Sequence, residues 1–229
     1  MAGDKSRALQ ILQILKRTYS VPRISDRSRD PFQALIRTVL SQNTADVNTF
    51  RAFQSLSRRF QMTPKALAEA DVKEIEGAIR IAGLYRNKSK VIKHLSRRIL
   101  EQFNGSLDFI YSMPFKEARK TLMDIPGVGP KTADVVLLFC AGAPTLPVDT
   151  HVNRVSKRLE LAPKEADYEG VRRALQELYP PEEYLPVHLL LIAHGRRYCK
   201  APKPMCEPCP INYLCPYFQA LKLATNIKV

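Results

Sequence analysis

Two prolines and two glycines within five residues constrain this chain more than any other stretch. They lie in Ile125-Pro126-Gly127-Val128-Gly129-Pro130-Lys131, between two segments whose apolar residues recur at helical spacing. Proline is excluded from helix interiors but suits the first position of a new helix. Glycine adopts backbone conformations that other residues avoid, and it leaves main-chain amides accessible. The stretch therefore predicts a helix, a tight hairpin and a second helix.

Main-chain amides exposed beside a helix N-terminus form a natural phosphate site. The composition indicates the same kind of partner, because 36 Lys and Arg outnumber 22 Asp and Glu and give a formal net charge of +14. Such an excess favours a polyanion, since contacts to phosphates release counterions. On hairpin composition alone, a helix connection without a ligand remains the alternative.

The sequence contains no apolar run long enough to cross a bilayer and no signal-peptide pattern at its N-terminus, so we expect a cytoplasmic protein without a membrane partner. Apolar spacing is helical almost throughout and shows no sustained alternation, which predicts an all-α fold. Asp30-Pro31 has the form of a helix start, and Asp71 with Glu74 has the form of a capping box.

Four cysteines lie close together near the C-terminus, spaced Cys199-x6-Cys206-x2-Cys209-x5-Cys215. Such a group can hold one metal centre, and in a protein of the cell interior metal ligation is favoured over disulfides. Zinc and iron–sulfur centres both accept four cysteines, so the spacing alone leaves both open. Cys140 lies apart in an apolar segment and is interpreted as a core thiol.

Three features in this order, the hairpin, Val148-Asp149-Thr150-His151 and the cysteine spacing, resemble the helix-hairpin-helix DNA glycosylases, most closely the endonuclease III branch. The resemblance covers residues 30–215. It implies two helical domains and a [4Fe–4S] cluster held by the four cysteines. The expected limits are 28–140 for a six-helix domain with the hairpin, and 1–27 plus 141–229 for the cluster domain.

The resemblance implies that Lys131 and Asp149 are catalytic. A neutral amine can attack the sugar and form a Schiff base, and a helix N-terminus favours the neutral form. In the family pattern, lysine at this place marks enzymes that combine base excision with strand cleavage. Asp149 would stabilise the developing positive charge and take a proton from the lysine. The alternatives are that Lys131 binds phosphate and that Asp149 only caps the next helix.

A glycosylase must rotate its target nucleotide out of the stack and fill the gap. The resemblance aligns Asn43 with the gap-filling residue, with Gln42 beside it, and leaves open which of the two is the wedge. Thr38 stands where the adenine-mismatch branch has a catalytic glutamate, which argues against that branch. Further expected DNA contacts come from the hairpin and from the basic residues near the cysteines: Gly127, Val128, Gly129, Thr132, Arg196, Arg197, Lys200 and Lys203.

The resemblance implies a bifunctional DNA glycosylase and AP lyase of base excision repair. We expect it to remove oxidised pyrimidines and to cleave 3′ to the abasic site by β-elimination, as a monomer on double-stranded DNA at the nucleoid. One alternative keeps the enzyme class with another lesion, an oxidised purine or a mismatched thymine. The other alternative is a non-catalytic helix-hairpin-helix DNA-binding protein.

Overall fold

The computed structural model describes residues 2–20 and 30–226 of the 229-residue chain. These residues are mainly helical and contain no β-strand, which confirms the all-α prediction. The α-helices are α1 (Ala2–Thr18), α2 (Pro31–Ser41), α3 (Asp46–Arg59), α4 (Pro64–Glu69), α5 (Val72–Ile79), α6 (Tyr85–Phe103), α7 (Phe115–Met123), α8 (Pro130–Ala141), α9 (Thr150–Arg158), α10 (Tyr168–Leu178), α11 (Tyr184–Arg197) and α12 (Pro216–Asn226). Short 3₁₀ helices cover Arg80–Ala82, Asp108–Tyr111, Pro181–Glu183 and Asn212–Leu214.

Contacts between residues divide the chain into two compact units. The hairpin unit is Ile24–Ala143, and the cysteine unit joins Met1–Arg23 to Pro144–Val229. The predicted limit between residues 27 and 28 lies outside the described residues. Near the predicted limit at 140, α8 continues through Ala141 and ends at Gly142, whose φ of +63° is left-handed. The domain limits as predicted therefore stay a proposal.

Side-chain caps explain where several helices of the hairpin unit begin. The Asp30 carboxylate accepts hydrogen bonds from the amides of Phe32 and Gln33, and proline occupies the first position of α2. Asp71 accepts from the Lys73 amide at 2.7 Å and starts α5. The Glu74 carboxylate binds Arg59, so only the aspartate half of the predicted capping box forms. Each cap pairs amides that a helix N-terminus leaves unbonded.

The described part of the hairpin unit contains seven α-helices where six were expected. The segment after Thr63 forms two of these helices, α4 and α5, which are separated by Ala70 and Asp71. One continuous apolar core runs through all seven helices, and α6 packs against both short ones. Cys140 belongs to this core, and burial raises the pKa of its thiol to about 11.

The cysteine unit has its own apolar core, to which α1 contributes Ile11 and Leu15. Helix α1 contacts α10 and α11, and the buried Tyr179 hydroxyl donates to the Ala8 carbonyl. Asp149 caps α9 and Asp167 caps α10, each by accepting a main-chain amide proton. None of the described helices is long and apolar enough to cross a membrane.

Candidate active site

The hairpin forms as predicted between α7 and α8. The Val128 amide donates to the Ile125 carbonyl at 3.0 Å, and Gly127 turns the chain with a φ of +90°. Gly129 is the extended N-cap residue of α8, and a Cβ placed on it would have no neighbour within 4 Å. The space beside this N-terminus is therefore open, as a phosphate site requires.

Lys131 is the second residue of α8 and is partly exposed. It is thus placed at the N-terminal end of the helix dipole, as its sequence position indicated. The neighbouring side chains of Val128 and Thr132 are buried. If these two residues contact DNA, as predicted, they do so through main-chain groups.

A buried ion pair holds the two hairpin helices together. Arg119 of α7 donates from Nε and Nη2 to the two carboxylate oxygens of Asp134 of α8, at 2.8 and 3.0 Å. The Asp134 side chain is fully buried. Bidentate arginine–carboxylate geometry restricts relative rotation of the two partners. The pair therefore fixes how α8 leaves the glycine turn.

Breaking this pair is expected to destabilise the protein strongly. Asp134→Asn removes the charge that Arg119 faces, and the loss of one partner of a buried pair costs about 3–5 kcal/mol. Arg59→Ala is the control, because the Arg59–Glu74 pair is about half exposed and exposed pairs contribute under about 1 kcal/mol. Urea unfolding measures both. Equal losses in the two variants would contradict a structural role for the hairpin pair.

In the cysteine unit, Asp149 is held at the start of α9. Its Oδ1 accepts from the Val152 amide at 2.7 Å, so Asp149 caps this helix, and a cap is compatible with a catalytic role. The preceding segment is fixed by buried His188, whose Nδ1 donates to the Pro147 carbonyl at 2.8 Å. The carboxylate remains partly exposed. Burial lowers the pKa of nearby His151, although Asp149 acts in the opposite direction.

The four cysteines line one pocket together with Ile211 and Phe218. The pKa of the Cys209 thiol is raised to about 11, mainly by burial, and the other three cysteines act in the same direction. Among the described residues, no group of three or more His, Cys, Asp or Glu side chains is arranged to hold a metal ion. A single zinc ion needs four ligand atoms about 2.3 Å from one point. The four thiols line the same pocket, and a zinc ion and an iron–sulfur cluster both accept four cysteines.

Groups outside the cysteine spacing organise this loop. Arg158 of α9 donates to Cys199 Sγ at 3.4 Å and to the carbonyls of Lys200 and Ala201. Buried His194 of α11 lies with Nε2 3.6 Å from Cys209 Sγ. The predicted DNA-contacting residues are all exposed on the same stretch of chain: Arg196, Arg197, Lys200 and Lys203.

Two loops of the hairpin unit present side chains to solvent. We call residues 41–44 the polar tip, because it exposes Gln42 and Asn43, the latter with a left-handed φ of +52°. We call residues 81–84 the apolar tip, because Ile81 is 44% and Leu84 61% exposed. Sequence reasoning missed the apolar tip. The sequence signal was two large apolar residues, Ile81 and Leu84, on either side of Gly83.

The residues matched by a family model confirm the class of this chain. Residues 36–181 match the model for the HhH-GPD superfamily base excision DNA repair protein. This span contains both hairpin helices, Lys131 and Asp149. The fold and the hairpin thus define a helix-hairpin-helix protein of base excision repair.

Relatives narrow the class further. Endonuclease III of Sulfolobus acidocaldarius is 36% identical over 85% of this chain and 86% of its own length. Endonuclease III of a Synechocystis species is 37% identical over 96% of each chain. A solved structure of a trapped endonuclease III–DNA covalent intermediate superposes with a TM-score of 0.82 at 33% identity, over 95% of this chain and 98% of that one. The chain belongs to the endonuclease III family.

Proposed function

We propose that this chain is a bifunctional DNA glycosylase and AP lyase that removes oxidised pyrimidines and then cleaves the strand 3′ to the abasic site. The observation that carries the proposal is Lys131 in the first turn of α8, directly after the open glycine hairpin. A phosphate-binding turn would bring the DNA backbone to this helix end, and the same turn presents an amine. Family membership supports the repair reaction.

Lys131 is proposed as the nucleophile. Its amine attacks C1′ of the sugar and gives a proton to Asp149, while the bond from C1′ to the base breaks and the base leaves with the electron pair. Transfer of that proton to the ring oxygen opens the sugar ring and leaves an imine between Lys131 and C1′. Loss of a proton from C2′ then expels the 3′ phosphate, and water releases the lysine. The single amine thereby accounts for both excision and strand cleavage.

Asp149 is proposed as the carboxylate of the same reaction. Positive charge develops on the sugar as the base leaves, and a fixed carboxylate stabilises it. The cap hydrogen bond from Val152 and the His188 bond to Pro147 hold the Asp149 segment in one geometry before substrate arrives. Such preorganisation avoids the cost of ordering the group during the reaction.

The two tips are proposed to fill the gap that the extruded nucleotide leaves. Proteins that unstack DNA frequently insert apolar side chains between base steps, and Leu84 and Ile81 are exposed residues of this kind. Gln42 and Asn43 offer amide groups that can hydrogen-bond to the base left without its partner. The apolar tip thus adds a second candidate wedge to the polar one.

Nicking of a duplex with one abasic site tests the function directly, because a non-catalytic DNA-binding module has no use for a nucleophile. We expect wild-type protein to convert the duplex to a 3′-unsaturated aldehyde and a 5′-phosphate end. Binding should weaken steeply with salt, since each phosphate contact releases counterions. Tight binding without nicking would favour the binding module.

A [4Fe–4S] cluster is proposed as the occupant of the cysteine pocket. The ligands would be Cys199, Cys206, Cys209 and Cys215, with Arg158 donating to the first of these thiols. Four thiolates would tie the loop to one centre and so hold its exposed basic residues in place. Excision and elimination need no electron transfer, so the cluster's contribution here is positional.

Iron analysis tests the cluster. Protein purified without oxygen should contain about four irons per chain and absorb near ~400 nm. Cys206→Ser should lower iron content, thermal stability and DNA affinity together, because it frees the basic loop. Cys140→Ala is the matched control, since this core thiol lies in the hairpin unit and its loss should leave iron content unchanged. Stoichiometric zinc in place of iron would contradict the assignment.

The proposed partner is double-stranded DNA with a damaged base or an abasic site, bound by a monomer at the nucleoid in the cytoplasm. The net charge of +14 supports attraction to DNA. Thr38 is buried in α2 and donates to the Ala34 carbonyl at 2.8 Å. It supplies no carboxylate at the place where the adenine-mismatch branch has one, which favours oxidised pyrimidines over mismatched adenine.

A further inference from the structure

A buried lysine joins the two exposed tips. Lys88, in the first turn of α6, is 4% exposed, and burial lowers its pKa. Its Nζ donates to the Leu40 carbonyl at 2.8 Å, to Thr44 Oγ1 at 2.6 Å and to the Ala82 carbonyl at 2.9 Å. An ammonium group has three donors, and three acceptors surround it.

These three acceptors belong to the two loops and to the end of α2. Leu40 lies in the last turn of α2, which leads into the polar tip, and Thr44 ends that tip. Ala82 lies in the apolar tip, and the Thr44 hydroxyl donates to its carbonyl as well. The Lys88 ammonium and the Thr44 hydroxyl therefore connect the two tips on their buried side. The side chains of Gln42 and Leu84 are exposed to solvent.

We propose that Lys88 is a positioning residue that sets the spacing between the polar and apolar tips, so that both enter the same gap in the DNA. This inference rests on the proposed function. Lys88 touches no substrate, because its amine is buried and fully bonded. It acts by donating hydrogen bonds to the Leu40 carbonyl beside the polar tip and to the Ala82 carbonyl in the apolar tip. Without these bonds the two tips would orient independently.

A role of Lys88 that is limited to the stability of α6 predicts a different pattern of activity losses. If Lys88 only stabilised α6, its loss would reduce all activities by the fraction of protein unfolded. If Lys88 sets the spacing between the two tips, its loss lowers only the rates of the steps in which the duplex must be opened. The amine chemistry of Lys131 on a flexible, single-stranded abasic site needs no gap to be filled, so it is insensitive to the tips.

The test replaces Lys88 with Met, which keeps the stem and removes the donors. Misplacement by about 1 Å can slow a reaction about 100-fold, and we expect a loss of about that size for excision from duplex DNA. Borohydride trapping on a single-stranded abasic site should stay within about threefold of wild type. We expect the fluorescence of 2-aminopurine placed opposite the lesion to increase when saturating wild-type protein unstacks it. With Lys88→Met at saturation, this increase should be absent.

Lys93→Met is the matched control. Lys93 lies on the same helix and donates to the Ala70 carbonyl at 2.7 Å, outside both tips. It should lower stability while the ratio of duplex to single-strand activity and the 2-aminopurine signal stay unchanged. Thr44→Val gives a second, milder variant, which removes the bridging hydroxyl and should change the ratio in the same direction as Lys88→Met.

Two outcomes distinguish a failure of the positioning role of Lys88 from a failure of the proposed enzymatic function. If wild-type protein excises lesions and both Lys88→Met and Thr44→Val keep the wild-type ratio and fluorescence change, the positioning role is overturned. If wild-type protein shows no excision at all, the proposed function itself fails, and the positioning role fails with it.

Discussion

Replacing Lys131 with Gln is expected to abolish strand cleavage and covalent trapping while DNA binding persists. Glutamine retains length and polarity but has no nucleophilic amine, so no imine can form for borohydride to reduce. The loss should reach at least about a thousandfold, the scale seen when a catalytic nucleophile is removed. Gel-shift titration and trapping on the same abasic duplex measure binding and chemistry side by side.

Lys116→Gln is the control for Lys131→Gln. Lys116 lies exposed in the first turn of α7, so its replacement removes the same charge from the same unit. Trapping should survive there. A parallel loss of binding and activity in Lys131→Gln would favour the phosphate-contact role of this lysine. Undiminished trapping would mean that another amine is the nucleophile.

Replacing Asp149 with Asn is expected to slow base excision about 100-fold, in line with the loss of a ~3 kcal/mol electrostatic contribution. The substitution separates two roles, because asparagine caps a helix about as well as aspartate does. Thermal stability should therefore hardly change. The rate on a preformed abasic site should fall less, since no base has to leave. Single-turnover kinetics on the two substrates measure the difference.

Asp167→Asn is the matched control for this prediction. Asp167 caps α10 in the same unit and accepts from the Gly170 amide at 2.8 Å. Its replacement preserves that cap and should leave excision unchanged. Unimpaired excision in Asp149→Asn would reduce Asp149 to a helix cap. Asp149→Ala would then lose stability, by about 1 kcal/mol, and nothing else.

The parts of the fold that local chemistry determines could be predicted from the sequence. The hairpin and the start of α2 depend on proline, glycine and aspartate at fixed offsets, so a short window contains the whole cause. The spacing of six residues between Cys199 and Cys206 is equally local. A short window does not show contacts between residues that are distant in the chain. Arg158, for example, precedes the loop residues that it binds by about 40 positions.

The buried hydrogen bonds of Lys88 are a part of the structure that the sequence did not predict. The helix of Lys88, α6, begins at Tyr85. The first turn of α6 is mostly polar, and Leu84 before it has a left-handed φ of +46°, so no cap signal marked the start. Lys88 does fall in register with the buried stripe of Ile92 and Leu95. Charge at such a position is the pattern that predicts a buried, fully bonded lysine.

The decisive assay measures excision by wild-type protein on matched duplexes, one with thymine glycol and one with adenine opposite 8-oxoguanine. We expect removal of thymine glycol, a nick 3′ to the lesion, and a borohydride-trapped adduct whose cross-linked peptide contains Lys131. We expect weak or no removal of adenine. Efficient adenine removal without activity on thymine glycol would contradict the proposed function.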